Sequence, residues 1–203
     1  MPKVVDHAQR RSEIIDAVWT LIARRGFASF TMRDLATELG MANGALARYF
    51  PSKEAILRAT LDRTNASTDA RAAVSIGNRT GVDALRRLCL EIMPLDEVRL
   101  DEARVVIGFW GYTAPIPDLA AIFDRAMQGW RSRMVEYLRE AITDGEVRTD
   151  LATRTTVDTI MATMMGLQIN ALFSPGDTTP GRQIAVLDHL LSELRLTTSS
   201  GSL

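Results

Sequence analysis

At 203 residues, with 46% hydrophobic and 24% charged side chains, the chain can bury a sizeable core without disulfide or metal staples. No apolar run approaches the ~18 residues of a membrane span, and Met1 to Gln9 lacks the apolar stretch of a secretory signal, so a cytoplasmic protein with no membrane partner is expected. A lone Cys89 excludes an internal disulfide, and His7 and His189 are the only histidines, so no zinc spacing exists and neither metal nor cofactor is expected.

The net charge of -1 is unevenly spread. Met1 to Arg63 carries ten basic and seven acidic residues, against fourteen and eighteen in the remainder, so the positive excess lies in the first third. Between His7 and Arg25 the positions Ile14, Ile15, Val18, Leu21 and Ile22 recur at helical spacing and predict an amphipathic helix. Gly26 closes it, with Phe27 folding back onto its last turn. Thr31-Met32-Arg33-Asp34 is a capping box, in which hydroxyl and carboxylate satisfy orphan amides at the start of a short helix to Leu39. Gly40 breaks that helix, and a second, Asn43 to Phe50, follows with Leu46 and Phe50 facing one core. Two short helices joined by a glycine turn form a helix-turn-helix.

Pro51-Ser52 ends the unit, with Ser52 as N-cap of a long helix running toward Val74. Beyond the Gly77 to Gly81 turn every readable segment has helical period, and strand signals are absent. Val82, Leu85, Leu88, Cys89 and Ile92 form one stripe; Leu100, Ala103, Ile107 and Trp110 form the next, ending near Pro115-Ile116-Pro117. A helix capped by Asp118 then runs to Gly145, a nearly all-apolar one from Ala152 to Phe173, and a last one from Gly181 to Leu196. The expected fold class is all-α with about nine helices, divided into a helix-turn-helix domain at 1–52, an effector-binding and dimerisation domain at 53–196, and a disordered tail at 197–203.

Phe30-Thr31-Met32-Arg33-Asp34-Leu35-Ala36, Gly40, and Gly44-Ala45-Leu46-Ala47-Arg48-Tyr49-Phe50-Pro51-Ser52-Lys53-Glu54-Ala55-Ile56-Leu57 together resemble the DNA-binding signature of the TetR family. The C-terminal part resembles that family's betaine-regulator type, at Glu102-Ala103-Arg104, Phe109-Trp110 and Asp144-Gly145-Glu146-Val147. The resemblance implies a homodimeric, ligand-released repressor on double-stranded operator DNA, not an enzyme, with its second short helix in the major groove. Asn43, Gly44 and Ala45 stand at the N-terminus of that helix, where an amide can pair with adenine and small residues allow close approach. Arg33, Arg48, Tyr49 and Lys53 are the expected phosphate or edge contacts, and Thr31 offers a hydroxyl and amides to a phosphate. Many relatives carry an aromatic residue where this chain has Ala47, which shifts affinity onto Arg48 and Tyr49. Arg10 and Arg11 have two readings, a minor-groove arm or a solvated face.

In the C-terminal half, Trp110, Phe123, Met127, Trp130, Met134, Met161, Met164 and Gln168 are the candidate lining for a small apolar or weakly polar effector. The competing reading of such a stripe is plain core. Gln168 and Asn170 interrupt an apolar helix and fit a ligand contact, an interhelical bond or a dimer interface equally. Ala162, Gly166, Ile169 and Phe173, with Ile184, Leu187 and Leu191 of the last helix, suggest a four-helix dimer interface, against internal packing as the alternative. An enzyme is disfavoured because no nucleophile, base and orienting partner assemble from these residues.

Overall fold

The computed structural model describes residues 7–26, 31–113 and 116–195, and among them it contains nine helices and no strand. The all-α expectation holds. Helix α1 (His7–Arg25) stops where Gly26 takes φ +77° and donates its amide to the Ile22 carbonyl at 2.9 Å. The fold-back of Phe27 falls outside the described residues. Helix α2 (Met32–Glu38) opens on the capping box: Thr31 Oγ1 accepts the Asp34 amide at 3.2 Å, and the Asp34 carboxylate accepts the Thr31 amide at 2.8 Å.

Helix α3 (Asn43–Ala47) is shorter than the expected Asn43 to Phe50. Pro51 disfavours the helical region at Phe50 and has no amide to extend the ladder. The Tyr49 and Phe50 amides instead both return to the Leu46 carbonyl at 3.0 Å. Ser52 Oγ accepts the Ala55 amide at 3.2 Å and starts α4 (Lys53–Ile76). Then come α5 (Gly81–Ile92), α6 (Glu97–Thr113), α7 (Pro117–Thr143), α8 (Thr153–Phe173) and α9 (Pro180–Ser192). The start of α7 corrects the expected cap at Asp118: the Leu119 and Ala120 amides reach the Ile116 carbonyl, Pro117 is the first helical residue, and Asp118 lies in the first turn. Helix α9 stops short of Leu196, and 197–203 fall outside the described residues.

The chain packs as two compact units, Met1–Ser67 with Asp101–Asp124, and Thr68–Leu100 with Arg125–Leu203. The boundaries fall inside α4, α6 and α7. In the first unit one apolar core joins Ile14, Val18 and Ile22 of α1, Leu35 of α2, Leu46 and Phe50 around α3, and Ile56, Leu57 and Leu61 of α4 to Val105, Val106 and Phe109 of α6. Leu119 and Ile122 of α7 belong to the same core. Fully burying each such side chain contributes roughly 1.5–3 kcal/mol, so α6 is part of what holds the helix-turn-helix together. In the second unit α9 packs on α5, burying Leu187 and Leu191, and Arg86 makes a bidentate pair with Asp188 at 2.6 and 3.0 Å. That pair holds the Asp188 carboxyl below its ordinary range.

The start of α5 shows a cap supplied from far along the chain. Its N-cap residue, Thr80, makes no side-chain cap bond. The Val82 amide donates to Glu146 Oε2 at 2.8 Å and the Gly81 amide to Glu140 Oε2 at 3.1 Å, so two carboxylates meet the positive end of the helix. Gly81 has φ +58°, and a Cβ there would sit 2.6 Å from Glu146 Oε2. The Glu146 side chain can swing aside only by leaving the amide it caps. Gly81→Ala is therefore expected to destabilise the protein by ~2–4 kcal/mol, the left-handed backbone cost plus a lost charged hydrogen bond. Gly145→Ala is the control: φ is +71° but nothing lies within 4 Å, so only the backbone cost of ~1 kcal/mol applies. Denaturant midpoints of the two variants check the difference.

Candidate nucleic-acid interface and effector-binding residues

The helix-turn-helix presents one face to its core and the other outward. On α3 Leu46 is fully buried, as is Phe50 just beyond it, whereas Asn43, Gly44, Ala47 and Arg48 are exposed and Ala45 is half-buried. A five-residue helix with both faces so divided cannot stand alone; its orientation comes from the core beneath it. At the start of α2, Thr31 and Arg33 are exposed. Asp34 has its carboxyl held below the ordinary value, first by the Thr31 backbone amide and then by the Thr31 hydroxyl. Tyr49 is half-buried, with its ring 4.6 Å from that of His7.

Lys53 and Glu54 form the first turn of α4, and Tyr112 of α6 meets both. The Tyr112 hydroxyl donates to Glu54 Oε1 at 3.3 Å, and the Lys53 ammonium lies 5.0 Å from the centre of the Tyr112 ring. The Glu54 carboxyl is held low by its own backbone amide and by the Ser52 hydroxyl, while burial and the Glu54 charge push the Tyr112 phenol up. No sequence signal marks Tyr112 for this place, because its partner is 58 residues away. Of the basic pair on α1, Arg10 is half-buried and paired with Glu13 at 2.7 Å. Arg11 is half-buried as well and donates to the Tyr49 carbonyl at 2.7 Å.

The effector candidates divide between the two units. Trp110 and Phe123 belong to the first, edge to face with centroids 5.6 Å apart, and the buried Trp110 indole N–H has no hydrogen-bond partner among the described residues. Met127, Met134, Met161, Met164 and Gln168 are buried in the second. Trp130, in the second unit as well, is half-buried and donates its indole N–H to Asp69 at 3.3 Å. Gln168 Nε2 donates to the Ile92 carbonyl at 2.9 Å, a bond between α8 and the end of α5; Asn170 is exposed. Nothing in the helical period marks Glu102 or Gln183, yet both are buried. An open groove of about 480 Å³, lined by Ala70, Arg71, Val74, Ser75 and Glu91, contains none of the candidates.

Among the dimer candidates, Ala162, Ile169 and Phe173 are exposed on α8, and a Cβ on Gly166 would meet nothing within 4 Å. Ile184 is half-buried. Leu187 and Leu191 are a correction: both are buried inside the subunit, because the strongest apolar stripe of an amphipathic helix goes to its own core. The outward apolar residue of α9 is Val186, 41% exposed.

Residues 14–60 match the model of bacterial regulatory proteins of the tetR family, and residues 81–196 that of the BetI-type transcriptional repressor C-terminal domain. The chain belongs to the TetR family. Relatives include the HTH-type transcriptional regulator PksA of Bacillus subtilis, 29% identical over 143 residues, covering 70% of this chain and 69% of PksA. The repressor KstR2 of Rhodococcus jostii is 36% identical over 80 residues, 37% of this chain and 39% of that protein. Among solved structures, a Saccharomonospora viridis regulator in complex with choline has a TM-score of 0.84 at 24% identity, covering 91% of this chain and 96% of that one. The ketosteroid regulator KstR2 of Mycobacterium tuberculosis has a TM-score of 0.69 at 23% identity, with 92% and 95% covered. This TetR-family protein is a transcriptional regulator with a DNA-binding helix-turn-helix, and none of its described helices is long and apolar enough to cross a membrane.

Proposed function

We propose that this protein is a homodimeric repressor that binds a pseudo-palindromic operator and leaves it when a small apolar or weakly polar effector binds. The observation that carries the reading is the division of α3, with Leu46 anchored in the core and Asn43, Gly44 and Arg48 facing outward. In this reading Asn43, Gly44 and Ala45 meet base edges, while Thr31, Arg33, Arg48, Tyr49 and Lys53 hold phosphates or edges. Residues 1–52 are the reading head, and 53–196 carry effector binding and dimerisation. Ala162, Gly166, Ile169 and Phe173, joined by Ile184 and Val186, supply the dimer face. Two heads related by a two-fold axis then reach half-sites one DNA turn, ~34 Å, apart.

Release is a population shift between two states that differ in effector affinity. Two features of the first unit support a route for it: the α6 residues Val105, Val106 and Phe109 share one core with α1 to α4, and Tyr112 bonds the first turn of α4. Trp130 and the four buried methionines of the second unit, with the Gln168 side-chain oxygen, are the proposed effector contacts.

The test is footprinting on the DNA flanking its own coding region, with and without members of a metabolite and drug library. The expected result is a symmetric footprint at two chains per site, erased by those compounds that raise the melting temperature of the protein. A single-chain footprint, or compounds that stabilise the protein without changing its operator affinity, would contradict the dimeric and the ligand-released parts respectively.

A further inference from the structure

Tyr49 and Phe50 join α3 to α4, and they are held from behind by α1. The Arg11 guanidinium donates through Nη1 to the Tyr49 carbonyl at 2.7 Å, and its carbon lies 4.0 Å from the centre of the fully buried Phe50 ring. One turn earlier His7 lies against the Tyr49 ring, centroids 4.6 Å apart and planes tilted by 30°. This joint needs an external brace. A helix of five residues has too few internal bonds to fix its own axis, and Pro51 has no amide with which to continue the ladder. A charge-assisted bond to a carbonyl is among the stronger hydrogen bonds, and a flat, weakly hydrated guanidinium can make it while stacking on a ring.

We infer that Arg11 is a positioning residue for sequence reading: by clamping the Tyr49 carbonyl and the Phe50 ring it sets the angle at which α3 presents Asn43 to base edges, without itself touching DNA. The inference rests on the reading of α3 as the groove-entering helix. Its consequence is selective. A slack joint costs the contacts that need exact placement, whereas attraction to the phosphate backbone tolerates misalignment.

The experiment uses the full chain with two duplexes of ~30 bp, enough for two half-sites. One is recovered from a random pool by repeated selection on the wild-type protein, and the other has scrambled sequence. Arg11→Met keeps the aliphatic stem and removes the guanidinium; Arg11→Lys keeps the charge without the flat stacking surface. For Arg11→Met the expected result is a ~10-fold loss on the selected duplex, the size of a mismatched base pair, with scrambled-duplex affinity within about 2-fold. The slope of log K against log salt stays unchanged, and Arg11→Lys recovers only part of the loss.

A slope reduced by ~0.9 in Arg11→Met, with equal losses on both duplexes, would make Arg11 a phosphate contact and overturn the inference. Equal losses with an unchanged slope and a lowered melting temperature would make it only a fold-stabilising residue, which overturns it too, as would wild-type behaviour on both duplexes. A wild-type protein that enriches no sequence overturns the groove-entering reading itself, and the inference with it.

Discussion

Replacing Asn43 and Arg48 together by alanine is expected to lower operator affinity by ~10²-fold or more at ~0.1 M salt while leaving the melting temperature unchanged. Both side chains are exposed, and the core side of α3 is carried by Leu46, so neither substitution removes packing. Surface changes of this kind stay within ~0.5 kcal/mol of wild type. The DNA side of the ledger is much larger. A bidentate Asn–adenine pair discriminates by ~1–3 kcal/mol, and a lost phosphate contact reduces the salt slope by ~0.9 and weakens all sequences alike. The single variants separate the two roles: Asn43→Ala relaxes specificity at one base step, and Arg48→Ala lowers affinity uniformly. Ala47 supplies no aromatic contact to soften the loss. Gel retardation of the double variant at wild-type strength would remove α3 from the DNA interface.

Ile169→Lys combined with Phe173→Lys is expected to convert the proposed dimer to monomer and to abolish operator retardation. In the single chain Phe173 is 76% and Ile169 37% exposed, so the subunit does not depend on either. Phe173 is the last residue of α8, where a cation agrees with the helix dipole, so the fold tolerates the change. Across a two-fold axis each substitution counts twice: four ammonium groups replace four apolar side chains, each worth ~1.5–3 kcal/mol when buried. A monomer reads one half-site and loses the gain from tethering the second, ~10²–10⁴ in affinity. Sedimentation velocity with circular dichroism checks both halves of the claim. A helical dimer that still binds the operator would move the interface away from this edge.

The residues that mark helix ends were the most legible. The Thr31-x-x-Asp34 box, Gly26 and Gly40, and Pro51-Ser52 act through bonds within four residues, so the pattern alone carries the physics. Where an end depends on competition between neighbours the pattern misjudged it, as at Phe50, where the proline beyond shortened α3, and at Pro117, which displaced Asp118 from the cap. The candidate reading face on α3 was legible because Leu46 and Phe50 fix which side is inward. The candidate dimer residues were harder to read: the buried Leu187 and Leu191 show the same spacing as an interface stripe, and spacing cannot say which of two apolar surfaces covers a helix.

Sequence by itself determined the all-helical class, the helix-turn-helix and the family, since each rests on local periodicity, capping and an ordered motif. Only the tertiary structure decided that Arg11 braces the Tyr49 carbonyl, that Tyr112 reaches Glu54, that Gln168 holds the end of α5, and that Glu146 and Glu140 cap its start. Those partners are 38 to 76 residues apart along the chain. A polar side chain is committed by whichever group the folded core brings within ~3 Å of it, and no helical period records that distance.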